Sequence, residues 1–449
     1  MQAEAIAELL GVLIRNQCVN DGTPDSGHEY RSVETLAEFF GSTGRVIEPH
    51  PGRQSVVYRV PGRNPAAPRL MLMGHLDVVP ADPHGWEHAP FDGRVHDGFV
   101  WGRGAVDMLN ITATMAAVFK RYLTGEEAQP EGDLLFLGVA DEEAGAKFGA
   151  HHLTAEHWEE VACEYVLNEV AYPALRLSDQ PAFPVNVGEK GPFWRTLESS
   201  GIPGHGSQPY GTSNALVPLA RVMAGLAEAA SPVLMTAEWR SFVEGLGLPH
   251  EQAMAWLNPE MIDAVIEDLA AESMGLARYV HACTHLTVSP NVLQSGVKSN
   301  VIPESGRAEI DFRALAGQDA STVDDHLAKV LAADRDRITV APVMDHEASS
   351  SDPTGPLWDA IVAAFADLAG SRRVVPTLTP VTTDLRFFRD RGVVGYGVGW
   401  YDELIEFPEF LGMFHGRNER VSVESLGRTF QLLDRTVEGF FDRATVRSP

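Results

Sequence analysis

Three short apolar runs, each opening into acids or a histidine, constrain this chain more than any other feature. Leu70-Met71-Leu72-Met73 empties into Gly74-His75-Leu76-Asp77, and Leu134-Leu135-Phe136-Leu137-Gly138-Val139-Ala140 empties into Asp141-Glu142-Glu143. The third, Tyr165-Val166-Leu167, empties into Asn168-Glu169. A run that is apolar at consecutive positions and bounded by turn formers reads as a strand buried on both faces, hence an α/β sheet covered by helices. In such sheets ligands gather beyond the carboxyl ends of the strands, so the three runs aim their polar ends at one place. At 449 residues the chain exceeds one ordinary core, and two domains are expected.

The polar ends have metal chemistry in them. Side chains two apart on a strand point the same way, so Asp77 can accept the second ring N–H of His75 and leave the other nitrogen for a metal. The competing reading of His75 is a hydrogen-bonded structural histidine. Asp107 follows Gly102-Arg103-Gly104, whose glycines let the backbone come close, and it opens a helical run over 108–122 whose dipole favours a carboxylate there. Glu142 and Glu143 read either as a solvated turn or as a divided pair, one on a metal and one handling protons. Glu169 adds a carboxylate at the same sheet edge. His84, His88 and His96 lie in a loop of turn formers and read as exposed surface imidazoles.

Elsewhere, residues 3–16 have the apolar spacing of an amphipathic helix, and a second helix is expected from about Ser32, capped by its hydroxyl. Over 185–199 the pattern becomes that of an antiparallel strand, followed by Gly204-His205-Gly206-Ser207-Gln208-Pro209. Helices over 232–281 and strands near 286–289, 307–312 and 338–343 would complete a smaller α+β sandwich, with the hinge back near 349–353. The expected division is 1–184 and 352–449 for the sheet domain and 185–351 for the insertion. A formal net charge of −27 argues against nucleic acid or an anionic membrane as partner. No apolar run has transmembrane length, and the acidic amino end lacks the basic start of a secretory signal, so a cytoplasmic protein is expected. Cys18, Cys163 and Cys283 lie far apart and read as reduced thiols.

Taken together, His75-x-Asp77, Asp107, Glu142-Glu143, Glu169, Gly204-His205-Gly206, Asn300-Val301-Ile302-Pro303 and His415-Gly416-Arg417-Asn418-Glu419-Arg420 resemble the M20 family of two-zinc metallopeptidases and amidohydrolases. The resemblance covers nearly the whole chain. It implies a zinc-peptidase-like mixed sheet flanked by helices, with the inserted sandwich serving as lid and dimerisation domain. His75 and Glu169 would hold one zinc ion, Glu143 and His415 the other, and Asp107 would bridge them, with cobalt or manganese as substitutes. Glu142 would be the general base and Asp77 the partner of His75. His205 would reach the oxyanion, in this subunit's site or a partner's, and Asn300 and Arg313 would hold the substrate's carboxylate.

The same resemblance implies a cis peptide between Asp107 and Met108, a small-molecule or short-peptide substrate, and a homodimer. Two departures stand out: Met108-Leu109-Asn110 where many members have Met-Lys-Gly, and Val170 after Glu169 where a glycine is common. The insertion over 232–281 resembles that of the longer, carboxypeptidase-like members and leans toward peptides or N-acyl amino acids. A catalytically silent metal-binding relative with a regulatory role is the alternative. It has no use for Glu142. An aminopeptidase on a related two-zinc fold would lack the His205 motif.

Overall fold

A computed structural model of the chain describes residues 2–446. Its centre is a nine-stranded mixed sheet, in which Leu70–His75 lies between Leu134–Val139 and Tyr165–Asn168 and is parallel to both. Burial on both faces follows from the sequence. Leu70, Leu72, Leu134 and Phe136 point into one core, while Met71, Met73, Leu135 and Leu137 point into another on the far side. The helices Gln2–Arg15, Leu109–Leu123, Pro356–Ala369 and Val423–Val446 cover the first face. Helices Ala150–Glu156 and Leu385–Arg389 cover the second. Gly74 is needed because helix Leu109–Leu123 crosses so closely that an added Cβ would lie 2.3 Å from Thr112 Oγ1. That approach lets Thr112 Oγ1 donate to the His75 carbonyl at 3.1 Å, tying helix to strand at the site.

The smaller sheet is antiparallel, in the order Thr287–Ser295, Ser305–Ala314, Gly191–Ser200, Ile338–Asp345. Strand Ser305–Ala314 alternates as a one-sided strand should, burying Ala308, Ile310, Phe312 and Ala314 under helices Leu216–Glu228 and Ala320–Leu331.

Three features differ from the sequence-based expectation. The strand expected over 185–199 is two strands in two sheets: Phe183–Glu189 pairs parallel with Val374–Thr379 in the large sheet, and Gly191–Ser200 runs in the small one. The chain crosses between sheets at Lys190, within Gly188-Glu189-Lys190-Gly191-Pro192, where glycines and a proline interrupt two segments of mixed polarity. That lysine is fully buried, and its Nζ donates to Ala282 O at 2.9 Å, His285 O at 2.7 Å and Thr287 Oγ1 at 3.0 Å. Burial pulls its pKa down to about 7.

Second, the helices Ala237–Leu246, His250–Trp256, Ile262–Glu272 and Met274–Thr284 join the large core. Trp239, Phe242 and Tyr279 pack there with Leu378 and Phe407. Third, the second helix is Tyr30–Phe40 and its N-cap is Glu29, without a side-chain bond. Ser32 is buried inside it, accepting from Asn16 Nδ2 at 3.2 Å, because the helix starts a turn earlier than its hydroxyl suggested. No helix among the described residues is long and apolar enough to cross a membrane.

Candidate metal centre

The three parallel strands end level with one another, and their loops bring the acids together. His75 closes its strand opposite Val139, two residues before Asp141, and Glu169 follows the end of Tyr165–Asn168. His75 Nδ1 faces the backbone carbonyl of Asp77 at 2.9 Å, which accepts the ring N–H and leaves Nε2 for the site. The Asp77 carboxylate is farther from that nitrogen, at 3.7 Å. It turns instead to the neighbouring strand end, where it accepts from Glu142 N at 3.3 Å, Glu143 N at 3.2 Å and Asn20 Nδ2 at 2.8 Å. A fully buried carboxylate thus sets the backbone of both glutamates.

Two groups of ligand atoms form around Asp107. His75 Nε2 lies 3.3 Å from Asp107 Oδ1 and 3.7 Å from Glu169 Oε2. His415 Nε2 lies 3.3 Å from Asp107 Oδ2 and 3.1 Å from Glu143 Oε2. Within each group the candidate ligand atoms lie within 4.8 Å of one another. Asp107 turns one oxygen to each group. The first group is closed off, with the His75 side chain 1 % exposed, whereas the His415 side chain is 56 % exposed. Solvent therefore reaches the pair from the Glu143 and His415 side.

These residues fit a pair of divalent ions on their own chemistry. Glu143 Oε1 is buried without a hydrogen-bond partner among the described residues. Two imidazoles and three carboxylates are hard or borderline donors suited to zinc and its neighbours. Without an ion, protons do its work: hydrogen bonds that the His415 ring donates to Asp107 and Glu143 push it up to about 10. Burial opposes the charge on His75, but Asp107 and Glu169 outweigh it and hold the ring well above its ordinary value. Burial and then the charge of Asp107 push Glu143 up to about 7. Those are the protons that a metal displaces when it binds.

Glu142 belongs to neither group, yet members of both, His75 and Glu169 of one and Glu143 of the other, act on it through their charges. Burial, then the charge of Glu169, drives its carboxyl well above the ordinary range. The Asp107–Met108 peptide is cis. Asp141, Val170 and His415 have φ of 67°, 62° and 55°, so each of three ligand-bearing loops contains a left-handed residue other than glycine. At Val170 this is the conformation that a glycine would take without strain.

Several residues build the centre without belonging to either ligand group. Glu419 Oε1 accepts from Gly104 N at 3.0 Å, Val106 N at 2.7 Å and Asp107 N at 3.0 Å, and its Oε2 accepts from Arg103 Nη1 at 2.8 Å. It therefore fixes the loop that delivers Asp107. Glu419→Gln should cost about 3–5 kcal/mol by leaving the Arg103 charge buried and unpaired, measured by denaturant unfolding of the metal-free protein. Behind Asp77, Arg53 joins Glu29 at 2.8 Å and Asp141 at 2.7 Å in a buried network.

The small domain's candidates stand apart from this cluster. His205 is exposed on the short strand Gly204–His205, with Nδ1 2.7 Å from Ser207 Oγ. Asn300 is exposed next to it, its carbonyl accepting from Gly206 N at 2.8 Å. Among the described residues, neither side chain has a hydrogen bond to a member of the two groups. Arg313 forks onto Asp311 at 2.8 and 3.1 Å and reaches Thr382 Oγ1 of the large domain at 3.3 Å. Its positive charge is thus shared already. His84 is exposed, but His88 and His96 are half-buried and stack at 3.8 Å, with His96 Nε2 2.6 Å from Asp92.

Known proteins resemble this chain over most of its length. The profile described as peptidase family M20/M25/M40 matches residues 71–439. Pig (Sus scrofa) aminoacylase-1 is 26 % identical over 406 residues, spanning 89 % of this chain and 86 % of its own. Succinyl-diaminopimelate desuccinylase of Paracoccus denitrificans is 26 % identical over 449 residues, spanning 97 % and 98 %. Among solved structures, an M20 family metallo-carboxypeptidase from Sulfolobus solfataricus superposes with a TM-score of 0.73 over 98 % of this chain and 99 % of its own, at 16 % identity.

Proposed function

The chain belongs to peptidase family M20/M25/M40, a family of metal-dependent hydrolases, and from that premise we propose that it cleaves an amide or peptide bond next to a free carboxylate. The substrate would be an N-acyl amino acid, a dipeptide or a peptide's last residue. The observation that carries this reading is the pairing of two ligand groups through Asp107 with a further carboxyl, Glu142, that is in neither and is acted on by the charges of both. When bound, two divalent ions, zinc foremost, would supply an acidified water and an electrophile for the carbonyl. His75, Glu169 and Asp107 would hold one ion, and Asp107, Glu143 and His415 the other.

Glu142 takes the proton of the attacking water and returns it to the leaving nitrogen. Its burial among other acids raises its proton affinity, which suits a group that must carry a proton between two atoms. Asp77 holds the Glu142 and Glu143 backbones still while this happens. His205 comes to the carbonyl oxygen by closure of the small domain or from the second subunit of a homodimer.

A panel of N-acyl amino acids and dipeptides, incubated with zinc-, cobalt- or manganese-loaded protein, tests the proposal. Hydrolysis of at least one member, abolished by a chelator and restored by metal, is the expected result. A fully loaded protein inert on the whole panel would sink it. On a good substrate His205→Ala should lower kcat by about 10²–10³ and leave metal content unchanged. If a partner supplies the histidine, mixing that variant with Glu142→Gln subunits should recover activity, since one site of the hybrid dimer has both groups.

A further inference from the structure

Asp384 is a buried carboxylate that the mechanism above leaves unused. It is 2 % exposed, yet neither Oδ1 nor Oδ2 has a hydrogen-bond partner among the described residues. Buried carboxylates are ordinarily met by donors or by opposite charge, so two bare oxygens mark a place where a partner arrives.

The fold holds this carboxylate at the site. Asp384 closes the loop between strand Val374–Thr379 and helix Leu385–Arg389. On one side of it Thr383 N donates to the Glu189 carboxylate, and on the other Leu385 packs with Met73 and Val139, beneath the strand ends that carry His75 and Glu142. Burial above all raises the Asp384 carboxyl well above its ordinary range, the charges of Arg386 and His75 oppose that rise and those of Glu169 and Asp77 add to it, and the charge of Asp384 is felt in turn at Glu142. Arg386 does not bond to it. That guanidinium donates to Thr383 O at 2.8 Å and stacks on Phe387 at 4.4 Å. Nor is Asp384 a member of either ligand group.

The remaining cation is one that the reaction makes. If Glu142 returns its proton to the leaving nitrogen, as proposed above, that nitrogen must lie within hydrogen-bond reach of Glu142 and carries a positive charge until the C–N bond breaks. We propose that Asp384 is a further catalytic residue, one that receives the leaving amine. The water oxygen bonds to the carbonyl carbon, one water proton travels through Glu142 to the nitrogen and makes it cationic, the C–N bond breaks with its electron pair staying on nitrogen, and the water's second proton passes from the new carboxyl to the released amine, leaving a carboxylate and an ammonium. Asp384 accepts a hydrogen bond from the nitrogen as its positive charge develops, an interaction stronger in the transition state than in the neutral amide.

An amide and its ester analogue, with the scissile N–H replaced by oxygen, separate this role from a structural one, because the ester releases a neutral alcohol and no cation. For Asp384→Asn, kcat/KM on the amide should fall about 10²-fold and on the ester by less than about threefold, with metal content unchanged. Glu142→Gln, measured alongside, should lower both. Equal losses on amide and ester, or loss of an ion, would overturn the assignment. A wild-type protein that cleaves neither compound defeats the functional reading itself, and this assignment with it. Should Asp384→Asn fail to fold, Asp384→Ser takes its place in the same comparison. Calorimetry on the wild-type protein gives an answer that no variant can spoil: the amino product should bind about tenfold tighter than its hydroxy analogue, and equal affinities would refute the proposal.

Discussion

Glu142→Gln is expected to retain both ions and to lower kcat by at least 10²–10⁴-fold, the full contribution of a general base. The substitution keeps the shape of the side chain, and its backbone N–H remains bonded to Asp77 at 3.3 Å, so the ligand groups on either side have no reason to move. It also removes a buried negative charge that Glu169, Asp384 and Glu143 all repel. Activity and stability should therefore change in opposite directions. Because the folded state raises the proton affinity of Glu142, that state binds more protons than the unfolded chain above the ordinary glutamate value. Wild-type stability without metal consequently falls as pH rises from about 4.5 toward the raised value, by up to about 1.4 kcal/mol per pH unit. The glutamine variant lacks this slope. Urea melts of the two metal-free proteins from pH 4.5 to 8 would show the gap widen in the variant's favour. A variant that keeps near wild-type kcat would refute the assigned base, and one that loses both activity and stability would show damage instead.

What could be read in the sequence and what could not divide along a physical line. Strands such as Leu70–His75 were legible because burial on both faces leaves a continuous apolar run, and the acids stood out because they interrupt it. Asp77 shows the limit of such reasoning. Two-residue spacing places its side chain near His75, but the carbonyl reaches the ring first, at 2.9 Å, and the carboxylate serves the neighbouring strand end. That choice depends on how strands lie side by side, which no local pattern encodes.

The pairings that were missed act across long stretches of chain. Glu419 meets Val106 over 313 positions, Arg53 meets Asp141 over 88, and Asn20 meets Asp77 over 57. A charged residue in a loop or an exposed-looking strand gives no sign of such a partner. The crossing at Lys190 was hidden for a different reason, since the chain runs extended on both sides of it and a lysine beside Glu189 reads as surface.

Asp107→Ala should produce the deepest loss, because its two oxygens serve both ligand groups and the substitution leaves each with two residues. Removing an outer partner of a metal ligand costs about 10–100-fold in affinity, and losing a shared ligand should exceed that for both ions at once. Asp77→Asn is the natural comparison, since it keeps every ligand and weakens what holds Glu142, Glu143 and Asn20. Metal analysis after dialysis should find Asp107→Ala stripped of both ions and Asp77→Asn retaining them, with activity lost below detection only in the former. The metal-free protein offers an independent check. Hydrogen bonding to Asp107 is the foremost cause holding His415 near a pKa of about 10, so in Asp107→Ala an NMR titration should find that ring lower than in the wild type, with Glu143 still holding it above its ordinary value of 6.5. The fold itself should survive. Glu419 grips the loop through backbone N–H groups and Arg103, none of which the substitution removes. Full retention of both ions by a folded Asp107→Ala protein would mean that the two groups are held separately and that the bridging arrangement is wrong.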